Sequence, residues 1–180
     1  MTRLLVYVSG APGSGKTSLA GPLAAELGYP LLYKDKLKET LHDWLGGPDP
    51  DLAWSRRLGA AAMELMWAVA ADAPRVVIEA NFRPRSDYER QKLTGLADRV
   101  AEVYCACPPD LALRRYNERA GGRHLVHQAT SLAAEAMAEW DQPVGIGPLI
   151  PVDTTVTVDV VKVAAEVRRH LGSTKLDDWR

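Results

Sequence analysis

The chain has 180 residues, 47% of them hydrophobic and 25% charged. That is the size and make-up of one ordinary folded domain, which excludes a disordered tail protein, a collagen-like fibre and a disulfide-stapled miniprotein. Its 22 basic and 23 acidic side chains leave a formal net charge of −1, so no broad electrostatic footprint for duplex nucleic acid or an anionic membrane is expected.

The first apolar run, Leu4 to Val8, reads as a strand buried on both faces. Helical pattern resumes from Lys16 to Leu27, and Leu31-Leu32-Tyr33 reads as a second strand. Asp35 to Leu45 is predicted helical with Leu37, Leu41 and Trp44 on one face. After the breaker cluster Gly46 to Pro50, Asp51 caps a long Ala- and Met-rich helix to about Ala71. Within it, Trp67 and Met63 read as core.

Arg75 to Ile78 is the third strand, and Ser86 caps a helix to about Ala97 with Tyr88, Leu93 and Leu96 inward. Val100 to Ala106 is the fourth strand, and Pro108-Pro109-Asp110 opens a helix that stops at Gly121-Gly122. A further helix is expected from about Ser131 to Trp140, a fifth strand over Leu149 to Val152, and a last helix from about Val158 to Leu171. Residues 1–172 are read as one domain and 173–180 as a polar tail.

Cys105 and Cys107 lie two apart on a predicted strand, so their side chains point to opposite faces and do not bond each other. A reducing, cytoplasmic setting is expected. No apolar run approaches the ~20 residues needed to span a bilayer, and the N-terminal run is too short for a signal peptide.

Strands alternating with helices predict an α/β fold with a five-stranded parallel sheet and helices on both faces. Such sheets bind ligands at the carboxyl ends of their strands, so chemistry is expected just after each strand.

The strongest signal sits after strand one. Gly10-Ala11-Pro12-Gly13-Ser14-Gly15-Lys16-Thr17 matches G-x-x-x-x-G-K-[ST] between a predicted strand and a predicted helix. Glycines there let successive N–H groups converge on one anion, and the helix adds its positive dipole end. Lys16 is expected on the β- and γ-phosphates of a nucleoside triphosphate, Thr17 on Mg²⁺, and Ser18 beside them.

Two GTPase-like fragments, Asp43 to Gly46 and Thr174 to Asp177, sit in a helix end and a tail rather than at strand ends. Val76-Val77-Ile78-Glu79 has the form of a Walker B strand, but a chain this short does not suggest an assembly ATPase. After strand two stands Asp35, placed either to accept a proton from an acceptor hydroxyl, to cap the following helix, or to do both.

The loop, Asp35 with a basic residue three positions on, and an arginine-bearing helix from Leu113 to His124 together resemble the small P-loop kinases of the polynucleotide kinase, chloramphenicol phosphotransferase, gluconate kinase and zeta-toxin group. The resemblance covers nearly the whole chain. It implies a three-layer P-loop fold with sheet order 2-3-1-4-5 and a small helical lid, using ATP and Mg²⁺ to phosphorylate a hydroxyl of a small antibiotic, sugar or nucleoside-like acceptor.

Asp35 is then the general base, and Lys38 stands where the polynucleotide kinase branch carries an arginine for the acceptor phosphate. Lysine lacks the bidentate fork, which disfavours nucleic-acid ends as acceptors. Arg115 and Arg119, one helical turn apart, and Arg123 are the arginines that would stabilise the transferring phosphoryl, against the alternative of a solvated basic helix. Glu79 would order Mg²⁺ through water or pair with Lys16. Asn81 and Arg83 would contact the acceptor, Trp44 and Trp54 would line its pocket, and Thr155 would meet the adenine. His124 and His127 read as lid or acceptor-site surface rather than metal ligands. A non-catalytic nucleotide-binding module remains the other alternative.

Overall fold

A computed structural model describes residues 2–47, 51–128 and 132–172. The elements are β1 (Leu4–Ser9), α1 (Lys16–Leu27), β2 (Leu31–Tyr33), α2 (Lys34–Leu45), α3 (Leu52–Asp72), β3 (Arg75–Glu79), α4 (Asp87–Leu96), β4 (Arg99–Ala106), α5 (Pro109–Glu118), α6 (Leu125–Gln128), β5 (Leu149–Asp153) and α7 (Val160–Leu171). Short 3₁₀ turns cover Ala120–Gly122 and Ala134–Trp140.

The five strands are parallel in the order β2-β3-β1-β4-β5. Central β1 is buried along its whole length, as an apolar run covered on both faces must be. Its alternation sends Leu4, Val6 and Val8 to the layer with Leu19, Leu23, Val163 and Val167 of α1 and α7. Leu5 and Tyr7 go to the other layer, with Met66, Trp67, Ile78, Phe82 and Leu93. The predicted core position of Trp67 is thus correct.

Helix starts follow local chemistry. The Asp51 carboxylate accepts from Ala53 N at 2.9 Å and opens α3, Ser86 Oγ accepts from Glu89 N at 3.3 Å at α4, and Asp159 accepts from Lys162 N at 3.1 Å at α7. Helix α1 instead starts on Gly15 at φ 91° and ends on Gly28 at φ 69°.

Four details differ from the sequence expectations. The helix foreseen over 131–140 is a 3₁₀ turn over Ala134–Trp140, while Ser131 lies outside the described residues. Its two buried anchors, Met137 and Trp140, are three apart, the repeat that a 3₁₀ turn stacks on one side. Helix α5 ends at Glu118, and the Gly121-Gly122 stretch belongs to the following turn. Tyr88 faces outward, 49% exposed, because the inward stripe of α4 is Glu89, Leu93 and Leu96. On α2 the buried residue is Lys38, and Trp44 is 86% exposed. The expected tail at 173–180 lies outside the described residues.

A polar knot crosses the second layer. Glu102 on β4, with 0% exposure, accepts from Ser9 Oγ at 2.5 Å, Tyr7 Oη at 2.8 Å, Val144 N at 2.8 Å and Gly145 N at 2.8 Å. The knot ties the strand that leads into the Gly10–Thr17 loop to the 144–146 segment, and it gives a buried carboxylate the donors that it needs.

Candidate active site

The carboxyl ends of β1, β2 and β3 bring Gly10, Asp35 and Glu79 to one edge of the sheet. Gly10, Gly13 and Gly15 take φ values of 130°, 84° and 91°. A Cβ on Gly10 would stand 2.8 Å from the Cys105 carbonyl, and one on Gly13 would strike the carbonyl of Ala112. Both conformation and space therefore demand glycine, and the loop wraps back on itself with Ser14 N donating to Ala11 O at 3.0 Å.

Lys16 is 5% exposed, and its ammonium donates to the carbonyls of Gly10 at 2.8 Å and Ala11 at 2.7 Å. Burial lowers its pKa, while Glu79, Cys105 and Asp35 pull it back up. Thr17 Oγ1 donates to Glu79 Oε2 at 3.2 Å. Burial raises the Glu79 pKa, and the Lys16 charge opposes that rise. The sequence placed Thr17 and Glu79 at the same metal, and the fold brings them into contact.

The loop fits a triphosphate on its own terms. Ser14 is fully buried, and its Oγ has no hydrogen-bond partner among the described residues. Among the described residues the Lys16 ammonium is held by loop carbonyls, a set that phosphate oxygens can replace. The Thr17 hydroxyl and the Glu79 carboxylate are hard oxygen donors of the kind Mg²⁺ takes alongside phosphates and water. Among the described residues no group of three or more His, Cys, Asp or Glu gathers to hold a metal by itself.

Beside the loop opens a cleft of about 450 Å³ lined by Gly13, Gly15, Ser18, Leu19, Arg115, Arg119, Thr154, Val156 and Val158 among others. Arg115 donates to Thr154 O at 3.1 Å and lies 3.8 Å from Cys107 Sγ, which bridges α5 to the end of β5. Arg119 Nε donates to Arg115 O at 3.1 Å. Arg123 turns away from this pair, stacking 3.4 Å above the Tyr116 ring and bonding the Tyr116 carbonyl. Thr155 binds Asp153 Oδ1 through both N, at 2.8 Å, and Oγ1, at 2.6 Å, and it is Thr154 that lines the cleft.

At the end of β2, Asp35 occupies the first turn of α2. Lys34 Nζ holds its Oδ1 at 2.9 Å, and the carboxylate is still 52% exposed. Desolvation pushes its pKa up, but Lys34, His127 and Lys38 outweigh it and the net shift is downward. Lys38 is 5% exposed and donates to Ser55 Oγ at 2.7 Å, which in turn donates to Val126 O at 2.7 Å. Burial and the neighbouring Lys34 bring its pKa down to about 8. His127 of α6 lies 3.3 Å from Glu39, and burial lowers its pKa although Asp35 opposes this. His124 Nε2 stands 2.9 Å from Asp43 Oδ1.

The remaining predicted acceptor residues scatter. Asn81 O accepts from Trp140 Nε1 at 3.2 Å, and Arg83 faces Glu139 at 3.4 Å. Trp54 Nε1 donates to His42 Nδ1 at 3.3 Å, while Trp44 stands in solvent. The two tryptophans are therefore not brought together. Sequence reading missed Ser55 and Glu39, which carry no motif, whereas Lys34 directly follows strand two, among the strand-end positions where chemistry was expected.

Residues 5–144 match the family AAA_33, described as an AAA domain. The chain belongs to that family. A crystal structure of a presumed kinase from Chloroflexus aurantiacus J-10-fl shares 32% identity at a TM-score of 0.80, over 95% of this chain and 100% of the other. A gluconokinase from Sinorhizobium meliloti 1021 superposes at 0.58 with 20% identity, over 95% of this chain and 94% of that one. Shikimate kinase from Acinetobacter baumannii, solved with shikimate, superposes at 0.59 with 17% identity, over 97% and 96%. At those identities the last two share the fold alone. No curated protein matches this chain. The member of AAA_33 described here thus has the three-layer architecture of the small P-loop kinases. Among its described residues no helix is long and apolar enough to cross a membrane.

Proposed function

We propose that this chain is an ATP-dependent phosphotransferase that moves the γ-phosphate to a hydroxyl of a small acceptor. The observation that carries the reading is Asp35, held ionised by Lys34 at 2.9 Å, at the sheet edge that also presents Lys16 and the Thr17–Glu79 pair. Bound ATP with Mg²⁺ supplies the phosphoryl group and part of the charge that neutralises it. Gly10 to Thr17 would hold the phosphates, with Ser18 at the cleft wall and Thr17 and Glu79 toward the metal.

The chain's own groups then divide the work. Lys16 exchanges the carbonyls of Gly10 and Ala11 for phosphate oxygens. Asp35 accepts the acceptor's hydroxyl proton and aligns its oxygen. Arg115 and Arg119 stabilise the charge spread over the transferring group, and Arg123 completes the set only if it leaves Tyr116.

The polar surroundings of Asp35 favour a hydrophilic acceptor over one that stacks on aromatic rings. The Lys38 ammonium is sunk in a Ser55–Val126 chain rather than spread as a clamp, which argues against a nucleic-acid end. A mass-spectrometric screen of hydroxylated metabolites with Mg-ATP tests the reading. A phosphorylated product is expected, and Asp35→Asn should abolish it while ATP still binds. Binding without any transfer would leave the chain a nucleotide-binding module.

A further inference from the structure

Helix α3 carries a glycine at position 59, near the middle of its 21 residues. A glycine inside a helix costs stability relative to alanine, so its presence there asks for a reason. Backbone conformation does not supply one, because the helical φ is negative and any residue adopts it. Packing does not supply one either. Among the described residues, a Cβ built on Gly59 would meet only the Lys34 Nζ, at 3.8 Å, and the Lys38 Cε, at 4.0 Å, both ordinary contact distances.

The contrast with two other helical glycines is informative. On Gly21 of α1 a Cβ would press against the Tyr33 hydroxyl at 2.9 Å, and Gly95 sits exposed on α4 with nothing near it. Gly59 alone of these three opens onto the charged groups of the candidate active site.

We propose that Gly59 is a size gate, the bare stretch of α3 against which the acceptor lies while Asp35 engages its hydroxyl. The inference rests on the phosphotransferase reading and deepens it. Ser55, one turn before Gly59 on the same helix face, already donates to Val126 O and accepts from Lys38. The patch is therefore framed by the two lysine side chains of α2 on one side and by α6 on another. Lys34 and Lys38 lie against Gly59, Ser55 is tied to Lys38, and Asp35 is reached through Lys34. The acceptor that fits is short and rich in hydroxyl or anionic groups.

The test uses the full chain and a graded series of polyols and sugar acids as probes, with transfer and Mg-ATP binding measured in parallel. Gly59→Met is expected to cut kcat/KM for accepted probes by at least about tenfold, mainly through KM, since pocket contacts of one or a few methylenes discriminate by about 10–200-fold. ATP affinity should stay at the wild-type level. Gly59→Ala should raise the melting temperature and lower the kcat/KM ratio of the largest to the smallest accepted probe.

Wild-type kcat/KM in a folded Gly59→Met protein overturns the inference. If that variant does not fold, an unchanged size ratio in Gly59→Ala overturns it instead. Transfer by the wild type that both variants reproduce sinks only the gate, whereas a wild type that phosphorylates no probe sinks the phosphotransferase reading and the gate with it.

Discussion

The two halves of the candidate site are made of different material. The half proposed for the donor is backbone: three glycines at positive φ and a lysine drawn in by carbonyls. The half proposed for the acceptor is side chain: Lys34, Asp35, Lys38, Ser55 and His127, each in polar contact with a neighbour. A backbone site admits almost no added atom and binds one chemistry. A side-chain site accepts substitution, and its charges shift with the neighbours they keep.

The comparison is most sharply tested at Gly13. Gly13→Ala should abolish saturable ATP binding in calorimetry, because the added methyl strikes the Ala112 carbonyl and the φ of 84° resists any side chain. On the other side, Asp35→Asn should lower transfer by about 10²–10⁴-fold while leaving ATP affinity intact, as loss of a positioned base does. A matched fall in both quantities would erase the distinction between the two sides.

A smaller effect is expected from the knot beneath them. Glu102→Gln replaces one carboxylate oxygen with an amide that cannot accept, although four donors converge there. Each buried donor left unmet costs roughly 1–3 kcal/mol, so the urea midpoint should fall.

The mildest effects are pH slopes. Lys38 has a folded pKa of about 8 against an ordinary 10.5, so the unfolded chain binds more protons between those values and stability rises with pH across that window. Urea unfolding at pH 8 and pH 10 should show a slope that Lys38→Met flattens. His127 is also shifted downward, which places its contribution on the acid side. Stability should fall as pH drops below about 6.5, where the unfolded imidazole protonates first, and His127→Gln should remove that loss.

Much of the donor side was legible in advance. The loop motif lies between a fully apolar run and a helical pattern, so its residues, their order and the Thr17–Glu79 pairing follow from strand ends meeting at one edge. Less of the acceptor side could be read. Asp35 stood out because it follows a strand, but Trp44 and Trp54 were placed at the acceptor by sequence proximity to a breaker. Trp44 stands in solvent, and Trp54 is spent on His42 and a stacking contact with Arg57. Ser55 and Gly59 were invisible because their significance comes from the approach of α2 to α3, not from any local pattern.

Local order in the chain was enough to determine the alternation of strands and helices, the burial of β1 and the anion-binding loop, since these depend on residues within a few positions of one another. Tertiary structure alone decided that Lys38 is sunk between helices, that Arg123 folds onto Tyr116, and that Gly59 of α3 lies against Lys34 and Lys38. Those outcomes arise where elements distant in sequence pack together, and side-chain burial and charge coupling exist only once that packing has formed.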